Sequence, residues 1–144
     1  MAKIELKPLA TMTAQLGEQV DLGPGPKGHR VVIDVPSVKF EAADFTAELA
    51  TNDAADWATL SEDGTLAALD VRATLKTEDG AIIYVEYGGR MDFNTGFLAT
   101  APTFQTSAEN YLWLNRVQAV AAGQINPDTG ELVYNIFEAK PVAD

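Results

Sequence analysis

The chain has 144 residues and no cysteine, so its core alone must hold it: at this length roughly 70% of the unfolded surface can be buried, and disulfide frameworks, thiolate metal sites and cysteine nucleophiles are excluded. Its 10 basic against 21 acidic side chains give a net charge of −11, which repels a phosphate backbone and argues against nucleic acid. No run approaches the roughly 18 apolar residues needed to span a bilayer, and Met1–Lys7 mixes charges without an apolar h-region, so a cytoplasmic protein with no membrane partner is expected.

Taken in chain order, the first turn cluster is Gly23-Pro24-Gly25-Pro26-Lys27-Gly28. Its prolines remove two amide donors, so it is a poor phosphate cradle. His29, the only histidine, follows in the same loop, which excludes a multi-histidine zinc site. Val31–Val35 is β-branched and reads as a strand. Phe45–Leu60 is alanine-rich and has a helical alternative, but a strand over Phe45–Ala50, a loop at Thr51–Asp53 and a strand at Trp57–Leu60 fit better. The carboxylates Glu41, Asp44 and Glu48 match no calcium loop and read as solvated surface.

Leu66–Thr77 alternates over most of its length, Asp79-Gly80 is the strongest hairpin signal, and Ala81–Tyr87 is the returning strand. Tyr111–Arg116 reads as a further strand. Asn126–Gly130 predicts a second hairpin between Gln118–Val120 and Leu132–Tyr134, with a soft tail after Pro141. Turn signals separated by segments of about 8 to 14 residues indicate one all-β antiparallel barrel or sandwich domain over residues 1–144.

Parity along these strands offers two sites for chemistry. On Leu66–Thr77, Asp70, Arg72, Thr74 and Lys76 share one face, and Leu69, Val71, Ala73 and Leu75 the other. In a plain sandwich the charged set faces water, whereas in a barrel with outward aliphatic packing it lines the lumen. A two-residue turn at Asp79-Gly80 sets Arg72 opposite Tyr87, and a longer turn or bulge changes the partner, so Tyr84 and Tyr87 are both candidates. Tyr111, Trp113 and Asn115 share a strand face that suits a pocket wall, and Trp57 is a second aromatic wall; for each, core packing or backbone satisfaction is the alternative. The lumen arrangement suits proton transfer beside a carbonyl without a cofactor or metal. Asp70 is then the base, Arg72 the charge stabiliser, Tyr84 or Tyr87 the donor and Asn115 an orienting amide. A close Arg72 lowers the Asp70 pKa, which leaves Glu48 or Glu86 as the fallback base.

The chain resembles the small-protein family known as domain-of-unknown-function family 3237. The resemblance runs through Gly23–Arg30, Phe40, Ala55-Asp56-Trp57, Asp63-Gly64, the Leu69–Val85 hairpin, Pro102-Thr103-Phe104 and Tyr111–Arg116. It implies a calycin-like antiparallel β-barrel with an internal cavity, often an oligomer, and so favours the lumen placement of Asp70, Arg72, Tyr84, Trp113 and Asn115. Where family members commonly carry glycine, this chain has Ala42, Ala43, Ala47, Ala54 and Ala55, so its cavity mouth is expected to differ. The resulting expectation is a homo-oligomeric, cofactor-independent lyase, isomerase or cyclase acting on a small aromatic or polyketide-like carbonyl compound. The alternatives are a binding protein for a hydrophobic metabolite and a structural protein with a filled lumen.

Overall fold

A computed structural model describes residues 1–144. Its strands are β1 (Ala2–Gln15), β2 (Gln19–Gly25), β3 (Gly28–Asp34), β4 (Ser37–Ala42), β5 (Thr46–Leu49), β6 (Ala55–Leu60), β7 (Leu66–Thr77), β8 (Ile82–Asp92), β9 (Phe97–Thr100), β10 (Thr103–Gln105), β11 (Ala119–Asn126) and β12 (Glu131–Ala143). One 3-10 helix, Glu109–Arg116, is the only helical element. It is far too short to cross a membrane, and no helix is long and apolar enough to do so.

The fold is all-β: β1, β4, β5, β7, β8, β9, β11 and β12 close into an antiparallel barrel of 8 strands. Closure follows from the length of β7, which pairs with β8 along one edge and with two partners in succession along the other. Leu75–Thr77 takes β5 and completes the ring. Ala67–Arg72 takes β6, from which β3 and then β2 extend as a wing.

Alternation decides which residues fill the barrel. Leu69, Val71, Ala73 and Leu75 of β7 and Ile83, Val85 and Tyr87 of β8 are buried, and the intervening polar residues face out. The β7–β8 connection uses three residues, Glu78-Asp79-Gly80, closed by Gly80 N–H donating to Thr77 O at 3.0 Å, with Gly80 at φ 86°. A left-handed residue suits glycine there. Relative to a two-residue turn the pairing shifts by one, so Arg72 opposes Glu86 and Val71 opposes Tyr87.

Two expectations are corrected at this level. Tyr111–Arg116 is helical rather than extended. The expected tail after Pro141 stays in β12 through Ala143, paired with Ala2–Ile4.

Candidate functional site

The barrel has one filled half and one hollow half. At the end where β7 turns into β8, Phe40 lies 5.7 Å from Phe45 and 5.9 Å from Phe104, and Phe45 lies 5.0 Å from Tyr111. The 3-10 helix closes this end, with Leu114 0% exposed beneath it. Asn115 holds the helix in place: its Nδ2 donates to Thr106 O at 2.8 Å and to Leu112 O at 3.1 Å, while its Oδ1 accepts from Thr106 N at 2.9 Å. Its hydrogen-bonding capacity is thus spent on backbone, which makes it a brace for the plug.

Towards the opposite end lies a pocket of about 310 Å³, at the lower limit for small-molecule sites. Its wall comes from the barrel and from the wing, through Val31, Ile33, Val35 and Ala58, and its accessible rim includes Gln19, Leu60 and Phe93, the last 50% exposed. Of its 19 lining residues, all but Gln19 and Asp56 are apolar or aromatic.

Asp56 is the chemically distinctive group. It projects from β6 into this apolar wall with 7% exposure. The β6–β7 ladder pairs Asp56 with Val71 and resumes at Thr59 with Ala68; in between, the Asp70 amide donates to Asp56 Oδ1 at 3.0 Å. Burial raises the Asp56 pKa above the ordinary aspartate value, with the Asp70 amide working against the rise and the Asp70 charge adding to it.

Val71 pairs with Asp56 on one side and Tyr87 on the other, so one cross-strand row carries both polar side chains to the pocket. Tyr134 completes the group, its ring 5.6 Å from that of Tyr87 and edge-on to it. Burial pushes both phenols well above the usual tyrosine range, and the Asp56 charge pushes in the same direction. They are therefore neutral hydroxyls, able to donate or accept a hydrogen bond. Room for the Tyr134 ring comes from Gly123 opposite it, where a Cβ would sit 2.6 Å from the ring.

The sites expected from sequence divide between three places. Tyr87 lines the pocket. Asp70, Arg72 and Tyr84 are brought together, but on the exterior: Asp70 and Arg72 are exposed, and the Tyr84 hydroxyl donates to Glu86 at 2.9 Å. Their expected lumen placement is corrected because the aliphatic face of β7 is needed for the core. Trp57 is also outside, with the Arg72 guanidinium 4.8 Å from its ring centre, a contact contributing about 0.5–1 kcal/mol at an exposed position. The fallback carboxylates Glu48 and Glu86 are exposed as well. Tyr111 and Trp113 cover the plugged end, Trp113 being 43% exposed and Tyr111 donating to Asp79 at 2.9 Å. Asp56 and Tyr134 were missed. The available signal was the alternation Ala54-Asp56-Ala58, which puts a carboxylate on the same parity as two small residues that leave space around it.

The raised Asp56 pKa has a stability consequence. The folded protein holds this proton more tightly than the unfolded chain, so the favourable contribution is complete at low pH and is lost as pH rises through the folded-state pKa. Asp56→Asn keeps an acceptor for the Asp70 amide and removes the charge. Thermal melts should show the Asp56→Asn variant above wild type at pH 8, with the gap closing by pH 3; a gap of equal size at both values contradicts the assignment.

Comparisons place this geometry among known proteins. A family model described as "Protein of unknown function (DUF3237)" matches residues 4–100 and 92–139. A β-barrel-like protein from Acinetobacter baumannii AYE is 27% identical and superposes with a TM-score of 0.84, covering 96% of this chain and 97% of its own. A conserved protein of unknown function from Rhodopseudomonas palustris is 21% identical, with a TM-score of 0.84 and coverage of 96% and 99%. An enzyme from Penicillium herquei shares the fold at 21% identity and a TM-score of 0.71, covering 95% of each chain. No curated protein matches the sequence.

Proposed function

Since the chain belongs to the DUF3237 family, whose description carries no activity, we propose its function from the pocket: a cofactor-independent enzyme that moves a proton on a small, neutral aromatic or polyketide-like carbonyl compound. The observation that carries this reading is a single buried carboxyl, Asp56, in an otherwise apolar cavity. A carboxylate raised towards neutrality is a stronger base than one in water, and the apolar wall strengthens each hydrogen bond formed beside it.

In the proposed step, the Asp56 carboxylate takes the proton from the carbon next to the carbonyl. The C–H electron pair becomes the C=C bond of an enolate, and the carbonyl π pair moves to oxygen, where the Tyr87 or Tyr134 hydroxyl donates to it. Return of the proton from Asp56 to a different carbon completes an isomerisation. Expulsion of a β-substituent gives a lyase instead, and attack of the enolate on an electrophile in the same molecule gives a cyclase. No cation lines the pocket, so anionic substrates are disfavoured. The barrel fold itself supports catalysis in the Penicillium protein, which is an enzyme.

The second reading is a carrier for a hydrophobic metabolite, favoured by the apolar character of nearly the whole lining. The deciding experiment is a panel of neutral aromatic ketones and phenols, screened by thermal shift and then for turnover. Wild type should bind and convert at least one compound. Leu60→Trp, which fills the rim, should lose both responses. Binding without conversion across the panel supports the carrier, and thermal shifts unaffected by Leu60→Trp place the ligand elsewhere.

A further inference from the structure

We propose that the ribbon formed by the start of β1 and the end of β12 docks on the outer barrel wall of a second copy of this chain, reciprocally. The argument begins at a β-bulge. Within the barrel, Ala10, Met12 and Ala14 face inward, and Ala10 pairs with Ile136. The register then slips by one residue, so that Pro8 pairs with Phe137. A one-residue slip exchanges the faces of a strand. The even-numbered residues of β1, which fill the core on one side of the bulge, therefore turn to the exterior on the other.

Beyond the bulge the two strands form a ribbon with unlike faces. One carries Ile4, Leu6 and Pro8 opposite Pro141, Ala139 and Phe137, and the other carries Lys3, Glu5 and Lys7 opposite Val142, Lys140 and Glu138. Over Ala2–Leu6 these strands pair only with each other. Two-stranded ribbons are marginal in water without something against their apolar face, and Ile4 and Leu6 are each 59% exposed.

A complementary surface lies next to the ribbon on the same molecule. A groove of about 490 Å³ runs across the outer face of β8, β9 and β11, floored by Gly88, Ala99, Ala101, Val120 and Ala122, with Leu6 at its rim. Large exposed aliphatic side chains and a floor of small residues thus belong to one continuous patch. Such a patch is self-complementary across a two-fold axis, each copy supplying the knobs for the other's groove.

Charge points to the same occupant. The ribbon, residues 1–8 and 137–143, has three lysines against two glutamates, a net +1, and the remainder of the −11 chain is therefore −12. Copies of a strongly acidic protein repel one another over most of their surface, and the ribbon is the segment that approaches an acidic neighbour favourably.

The test is molar mass in solution by light scattering, across a concentration series, for wild type, Ile4→Lys/Leu6→Lys and Ala122→Trp. Both variant sites are exposed, so circular dichroism should show unchanged folding. Wild type should be dimeric, and both variants should shift towards monomer by at least tenfold in dissociation constant. A monomeric wild type overturns the proposal. So does a dimer that both variants leave intact, which would move the interface to another surface such as the exposed Val20 and Leu22 of β2.

Discussion

Replacing Asp56 by Asn should lower turnover by about 10²–10⁴-fold, the range for loss of a positioned general base, while a pocket ligand still binds with little change. Asparagine has nearly the volume of aspartate and keeps an oxygen for the Asp70 amide, so the wall of the pocket retains its shape. What it lacks is the ability to hold and return a proton. Single-turnover kinetics beside ligand-induced thermal shift separates the two quantities: an enzyme loses the first and keeps the second. Turnover retained within tenfold would remove Asp56 from the chemistry and leave only the phenols as candidates. Tyr87→Phe and Tyr134→Phe are informative companions, because each deletes a donor without deleting the ring.

Phe40→Ala should cost about 3–5 kcal/mol of stability, the range for truncating a buried aromatic. Phe40 is 1% exposed and touches both Phe45 and Phe104, which in turn carry the closing helix. Its removal leaves a void among rigid rings that cannot all move in, and it loosens the plug from below. Urea unfolding should show the midpoint falling with the slope nearly unchanged. A loss below about 1 kcal/mol would mean that the aromatic group repacks and that this half of the barrel is not the rigid one.

Much of the barrel was legible because alternation is a local property. Leu66–Thr77 and Ala81–Tyr87 show their inward residues one by one, and the glycine of their turn announces the hairpin. The face of Asp70 and Arg72 was harder, since parity states which residues share a side and is silent about which side is wet. Energetics decides it: four buried aliphatic residues of β7 outweigh any gain from placing Asp70 and Arg72 inside, where each charge would need a partner. Tyr111–Arg116 was misread for a different reason. A six-residue stretch with alternating large residues fits a strand by pattern, but here the backbone is held by Asn115 reaching back to Thr106, a long-range contact that no window of sequence contains. Asp56 escaped notice because a lone aspartate beside a tryptophan attracts the eye to the ring, and its burial depends on the wing folding over it.

That wing bears on how anything reaches the pocket. β6 joins the barrel by two short runs of ladder, Ala55–Asp56 and Thr59–Leu60, separated by the stretch where the Asp56 carboxylate has taken the Asp70 amide. One wall of the hollow half is therefore a separable leaf, while the ring of strands behind it is continuous. Admission of a ligand larger than the resting rim then draws on a sub-global opening, whose free energy is that of a few backbone bonds and the contacts of Val31, Ile33 and Ala58, and leaves the closed ring folded.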